Sequence, residues 1–292
     1  MKKFLAVLIS ALMCVSLAAC STAPASSDDV SADAENNTEV NTDAVVSDEE
    51  NTEDETEAQS DAEYVKSKGT LVVGITDFAP MDYKDADGNW IGFDADMAKA
   101  FAEALGVEVE FTEIDWDNKI LELNSKTIDC VWNGMTLTDE VLSSMECSNA
   151  YCNNKQVVVV PADKAESYQT AEACKELVFA VESGSAGNDM ADEYGFEYTA
   201  VKDQATAVME VAAGTSDAAI IDSLMAAAMV GEGTGYETLT YTVGLNDEKY
   251  GVGFRKGSDL AELLNSFFAD SLANGTMEAT AETYDIQAAL IK

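Results

Sequence analysis

Three patterns of apolar and polar positions follow one another along this chain: one continuous apolar run, then a long polar tract, then short apolar runs alternating with helical stripes. The third stretch holds most of the sequence. Residues 70–76 (T-L-V-V-G-I-T) predict a short strand from their β-branched, apolar content. Residues 93–105 place Met97, Phe101 and Leu105 on one helical face, with Asp94 positioned to cap the start and Gly106 to end the helix. Between them, Asp87-Gly88-Asn89 marks a hairpin-like turn. The same reading predicts strands at 107–111, 127–132, 156–160, 177–181, 196–201, 218–221 and 249–255. Helices are predicted at 116–124, 185–194, 203–213, 223–230, 259–273 and 277–286. Strands and helices alternate, so the fold class expected is α/β.

The first run changes the picture of where the chain resides. Lys2 and Lys3 precede an apolar stretch over 4–17, and Leu17-Ala18-Ala19-Cys20 supplies small residues before a cysteine. This reads as a secretory signal peptide over 1–20 with a bacterial lipobox, because the run is too short to span a bilayer. Diacylation of Cys20 is expected to anchor the mature protein to the outer face of the cell membrane, where two acyl chains suffice. Residues 21–62 contain no Lys, Arg or aromatic residue. They read as a disordered acidic linker that cannot offset its chain entropy by burial and that extends by self-repulsion.

Charge and cysteine usage narrow the chemistry. Acids number 55 against 16 Lys plus Arg, for a formal net charge of −39. No nucleic-acid partner is expected of such a surface. The chain has no histidine, which removes His-based catalysis and imidazole metal ligation. Cys14 falls in the signal and Cys20 takes lipid; Cys130, Cys147, Cys152 and Cys174 remain, in no zinc-binding spacing. Neither a metal nor a cofactor is expected. Cys130 reads as a buried thiol in a strand, whereas Cys147 and Cys152 are spaced closely enough to pair.

Residues 129–141 read D-C-V-W-N-G-M-T-L-T-D-E-V. This segment resembles the G-[MIF]-T-[IL]-T-[DP]-E-R signature of the extracellular solute-binding proteins, family 3, which deliver amino acids to ABC transporters. Residues 254–259 and Asn274-Gly275-Thr276 add further likeness, and the resemblance spans about 62–292. It implies a two-lobed periplasmic-binding-protein-like fold of type II. Lobe 1 would comprise 63–155 and 250–292, and lobe 2 would comprise 156–249. Strands 156–160 and 249–254 would be the crossovers of a hinge that closes on a solute. It further implies ABC permease subunits as partners and a monomeric binding protein.

A cleft that buries an amino acid must satisfy an ammonium, a carboxylate and a side chain. By resemblance, Asp77 and Asp222 are the acids, one per lobe, that take the ammonium; both follow predicted strands, where clefts form in α/β sheets. Phe78 and Trp116 match the aromatics that flank the ligand, and Asn133, Gly134, Met135 and Thr136 form the wall at the end of the signature strand. Trp132 alternates to the face opposite Asn133. In lobe 2, Glu182, Ser185, Ala186 and Gly187 lie where a strand joins a helix whose free N–H groups attract an anion.

The signature arginine, which holds the substrate carboxylate, is Val141 here, and the sole arginine, Arg255, lies in the second crossover. With three acids and no base at the site, the expectation is an amine-bearing ligand. Either main-chain N–H groups hold its carboxylate or it has none. The function expected is solute capture without catalysis. The alternatives left open are a secreted enzyme on the same fold, such as a dehydratase using Glu182 and Asp222, and a ligand-sensing module.

Overall fold

The computed structural model describes residues 59–292. The signal peptide, Cys20 and most of the predicted linker lie outside the described residues. The end of that linker differs from expectation: Ser60 caps a helix, Asp61–Lys68, whose Ala62 and Val65 are buried. Acidic composition alone did not reveal it, since only Ala62 and Val65 are buried, with Tyr64 packed beside them.

Two sheets organise the rest. In the first, the strands run in the order Glu108–Glu113, Thr70–Ile75, Cys130–Thr136, Glu248–Phe254 and Glu146–Cys147, and Cys152–Asn154 also pairs with Glu248–Phe254. The second has the order Glu197–Val201, Val178–Glu182, Ala218–Asp222, Gln156–Pro161 and Leu239–Gly244. Both follow one plan. Each has three parallel strands, the earliest of the three in sequence at their centre, and the strand that follows a passage between the sheets joins them antiparallel. The chain goes first to one side of the central strand and then crosses to the other, and that arrangement opens a crevice at the carboxyl ends of the strands.

Helices cover the sheets where the periodicity placed them. Phe93–Leu105 buries Met97, Ala98, Phe101 and Ala102 and stops at Gly106. Asp94 does not cap this helix, whose N-cap is Gly92; its carboxyl turns inward and is fully buried. The predicted helix at 116–124 is a short 3-10 turn, Trp116–Asn118, running into Lys119–Asn124. Asp139–Ser144 and the strand Leu239–Gly244 are further elements that the periodicity did not reveal. Trp132 is fully buried against Phe101 and Phe268, in line with the alternation along its strand.

The chain passes between the sheets at Lys155 and again at 245–247. These passages lie side by side. The Gln156 amide donates to Asn246 Oδ1 (2.7 Å), Leu245 N donates to Gln156 O (2.8 Å), and Asn154 Nδ2 donates to Glu248 Oε1 (2.6 Å). Cys130, Cys147, Cys152 and Cys174 are all free thiols, so Cys147 and Cys152 do not pair. They lie in separate short strands, opposite Gly253 and Tyr250 respectively.

Candidate ligand-binding site

A cavity lies between the strand ends of the two sheets. Thr76, Phe78, Trp116, Lys119, Asn133, Gly134, Met135, Thr136, Thr138, Glu140 and Val141 line one wall, and Glu182, Gly184, Ser185, Ala186, Asp189, Gln204 and Asp222 line the other. Ten of the twelve residues expected from the sequence are therefore together. Asp77 and Gly187 are not among them. Asp77 is exposed beyond the end of its strand, while its neighbours Thr76 and Phe78 turn inward. Gly187 packs its helix onto the sheet instead: a Cβ there would sit 3.0 Å from Ile220 O and 3.1 Å from Gln156 Oε1.

Two wall positions require glycine. Gly134 has φ 56°, and a Cβ would meet the Phe78 ring at 2.3 Å. Gly184 has φ 67°, and a Cβ would lie 2.6 Å from Asp117 Oδ1, which belongs to the opposite wall. Both are left-handed positions where other residues are strained.

Asn133 is a bracing residue. Its Oδ1 accepts from Thr76 N (2.7 Å) and Thr76 Oγ1 (2.8 Å), while its Nδ2 donates to Thr76 O (3.2 Å) and Asp82 Oδ2 (2.8 Å). All its polar capacity is thereby used. Below it, Asp94 Oδ2 accepts from Gly134 N (2.6 Å) and Tyr151 Oη (2.7 Å). Asp82 and Asp94 are both fully buried, and one oxygen of each, Oδ1, has no hydrogen-bond partner. Burial pushes Asp94 up to about 7, and burial followed by the Asp94 charge pushes Asp82 well above the usual carboxylate range.

The acids of the second wall divide into two kinds. Asp222 accepts from Gln156 Nε2 (3.0 Å), Tyr250 Oη (2.6 Å), Gln204 Nε2 and Asn154 Nδ2, and its own N–H donates to Gln204 Oε1 (2.9 Å). Its carboxylate is thus occupied by Gln204 and by Asn154, Gln156 and Tyr250 beside the passages between the sheets, and its first task is to hold them together. Burial, then the Glu248 charge, push its carboxyl well above the usual range, against the pull of those donors. Glu182 is the free acid. It is 3 % exposed, its Oε2 has one long bond from Gln204 (3.4 Å), and its Oε1 has none. Burial, then the Asp222 charge, push it up to about 8.

The expectation that this site holds three acids and no base is corrected by Lys119. That side chain lies 7 % exposed in the cavity wall, with its Nζ 2.9 Å from Gly184 O across the cavity and 3.3 Å from Trp116 O. Spacing carries a signal for it: a lysine three residues after Trp116 shares the face of that aromatic on a helical turn, and both side chains are buried at the cavity. The Ser185 amide is also committed, donating to Glu182 O (3.2 Å), and Ser185 Oγ caps Asn188 N (3.1 Å).

Residues 71–287 match the bacterial extracellular solute-binding proteins, family 3. The chain belongs to this family. It is 29% identical over 227 residues to the arginine-binding extracellular protein ArtP of Bacillus subtilis, covering 76% of this chain and 87% of that one. A crystal structure of a mutant of ArgBP from T. maritima superposes with a TM-score of 0.72 at 32% identity, over 77% of this chain and 98% of that one. The ancestral amino acid-binding protein AncCDT-1, a precursor of cyclohexadienyl dehydratase, gives 0.71 at 30% identity, over 77% and 99%. The fold of this family-3 protein is accordingly the two-lobed α/β fold of periplasmic amino-acid-binding proteins.

Proposed function

We propose that this family-3 protein is the solute-capturing subunit of an ABC importer, held at the outer face of the cell membrane through Cys20, and that it takes an amino acid or a related amine-bearing solute. The segments 63–155 with 250–292, and 156–249, act as lobes that close on the ligand, and a permease recognises the closed form. One observation carries this reading: the cavity opposes a buried ammonium on one wall to a buried carboxyl with an unpartnered oxygen on the other. A zwitterion has the complementary charges.

In this reading the ligand ammonium goes to Glu182, with Phe78 and Trp116 against the ligand's apolar surface. Glu140 and Asp189 add negative charge to the cavity and favour a solute with a second cationic or donor group. Catalysis is not part of the function. A dehydratase using Glu182 with Asp222 needs both carboxyls free to move protons, and Asp222 is occupied by four donors.

A thermal-shift screen with the free amino acids, their amides and small polyamines tests the reading. A ligand at a hundred times its Kd adds about 2.7 kcal/mol of stability by mass action. At least one amino acid or amine is expected to raise the unfolding temperature. If none does so at millimolar concentration, the capture function is wrong.

A further inference from the structure

We infer that Lys119 is the carboxylate anchor of this site, supplying from the turn after Trp116 the positive charge that the family signature supplies from the position of Val141. This inference rests on the amino-acid-capture reading and adds to it the residue that selects for a carboxylate.

Val141 lines the same cavity but is itself buried, in an apolar cluster with Ile114, Trp116 and Leu123. The signature position thus offers packing where the signature residue offers charge. Lys119 begins the helix that carries Leu123 and presents the one basic side chain among the lining residues. Its environment is unusual for a lysine. Among the described residues no carboxylate lies within ion-pair distance of Nζ; its partners are two main-chain carbonyls, one from each wall. An ammonium has three hydrogens to donate, so one remains for a ligand.

Burying a lysine charge with neutral partners only is unfavourable, and burial is the first cause that lowers its proton affinity. Glu140, Glu182, Asp117 and Asp189 act in the opposite direction, more weakly and from further away. A ligand carboxylate in the cavity gives this ammonium the direct counter-charge that the protein does not. Because Lys119 also donates to Gly184 O across the cavity, the carboxylate would bind at a point where both walls already meet.

The test compares ligand pairs that differ only by the carboxylate: L-arginine with agmatine, L-lysine with cadaverine, L-histidine with histamine and L-cystine with cystamine, each titrated calorimetrically into the full mature chain. Wild type is expected to prefer the carboxylate member of at least one pair by roughly tenfold to a hundredfold. Lys119→Met is expected to remove that preference by weakening the amino acid and leaving the decarboxylated partner unchanged. Adding Val141→Arg to Lys119→Met is expected to restore it, which a purely structural role for Lys119 does not predict. Lys119→Gln serves if the methionine variant fails to fold. If the preference survives loss of the Lys119 charge in a folded variant, the inference is overturned and the capture reading stands. If wild type binds no member of any pair, both fall.

Discussion

The two walls of the cavity grow from sheets of the same strand order, yet they treat their buried acids in opposite ways. Asp222, on the second wall, is given four donors from Asn154, Gln156, Gln204 and Tyr250. Asp82 and Asp94, under the first wall, are each left with one oxygen unpartnered. Glu182 shares the wall of Asp222 but the condition of Asp94. The difference separates structure from readiness: a satisfied carboxylate fixes its neighbours, whereas an unsatisfied one at a cavity keeps a proton until a better partner arrives.

The largest expected consequence is at Asp222. Asp222→Ala leaves the buried Tyr250 hydroxyl without an acceptor and takes one acceptor each from Gln204 and Gln156, and a loss of about 3 kcal/mol or more is expected. Chemical denaturation of the ligand-free protein measures it. Glu182→Gln is the contrast, because a neutral amide replaces a carboxyl that is already largely protonated near neutral pH. Its stability should stay within about 1 kcal/mol of wild type, while the affinity for an amine-bearing ligand falls roughly tenfold to a hundredfold. A Glu182→Gln variant that binds as wild type does would place the ammonium elsewhere.

Proton linkage sharpens the comparison further. Glu182 titrates near 8 and Asp94 near 7 in the folded chain, against ordinary values of 4.5 and 3.8. Between these limits the folded state holds protons that the unfolded chain has released. Stability therefore falls as pH rises from about 4 to 8, the reverse of a salt-bridged acid. The ligand-free protein is expected to melt at a higher temperature at pH 5.5 than at pH 8, and Glu182→Gln to flatten part of that slope. Ligand binding should run the other way, tightening as pH approaches 8 because Glu182 must lose its proton to receive an ammonium. Calorimetry in buffers of different ionisation enthalpy will show the released proton.

The smallest effect is expected at the surface. Lys202 Nζ, just past the edge strand of the second sheet, reaches Glu113 Oε1 at the end of the first sheet's edge strand (2.7 Å), with side chains 55% and 38% exposed. Lys202→Ala should alter stability by less than about 1 kcal/mol, and added salt should mask even that.

How far the sequence carried these conclusions differs between main chain and side chain. The sheets were legible because β-branched runs such as Val178–Glu182 and Ala218–Asp222 are bounded by helices with clear apolar stripes. Leu239–Gly244 was not, since Leu239 is the one fully buried residue of this Thr-Tyr-Thr edge strand and no alternation marks a buried face. At the site, strand ends located Phe78, Asn133, Gly134, Glu182 and Asp222. Spacing could not say which way a side chain turns. Asp77 points out where its two neighbours point in, Asn133 spends its amide on Thr76 and Asp82, and Lys119 follows Trp116 into the cavity from the same helical face. Gln204, the first residue of a polar-looking helix start, gave no sign that it ties Asp222 to Glu182.

Gly184 carries a consequence in time. Its carbonyl receives the Lys119 ammonium and its Cα faces Asp117, so at this point the walls touch across the space of one absent methyl group. Gly184→Ala would act as a doorstop, holding the cleft ajar and shortening the dwell of whatever is inside. In the proposed importer role that dwell is what a permease would read, and the smallest side chain in the wall helps to set it.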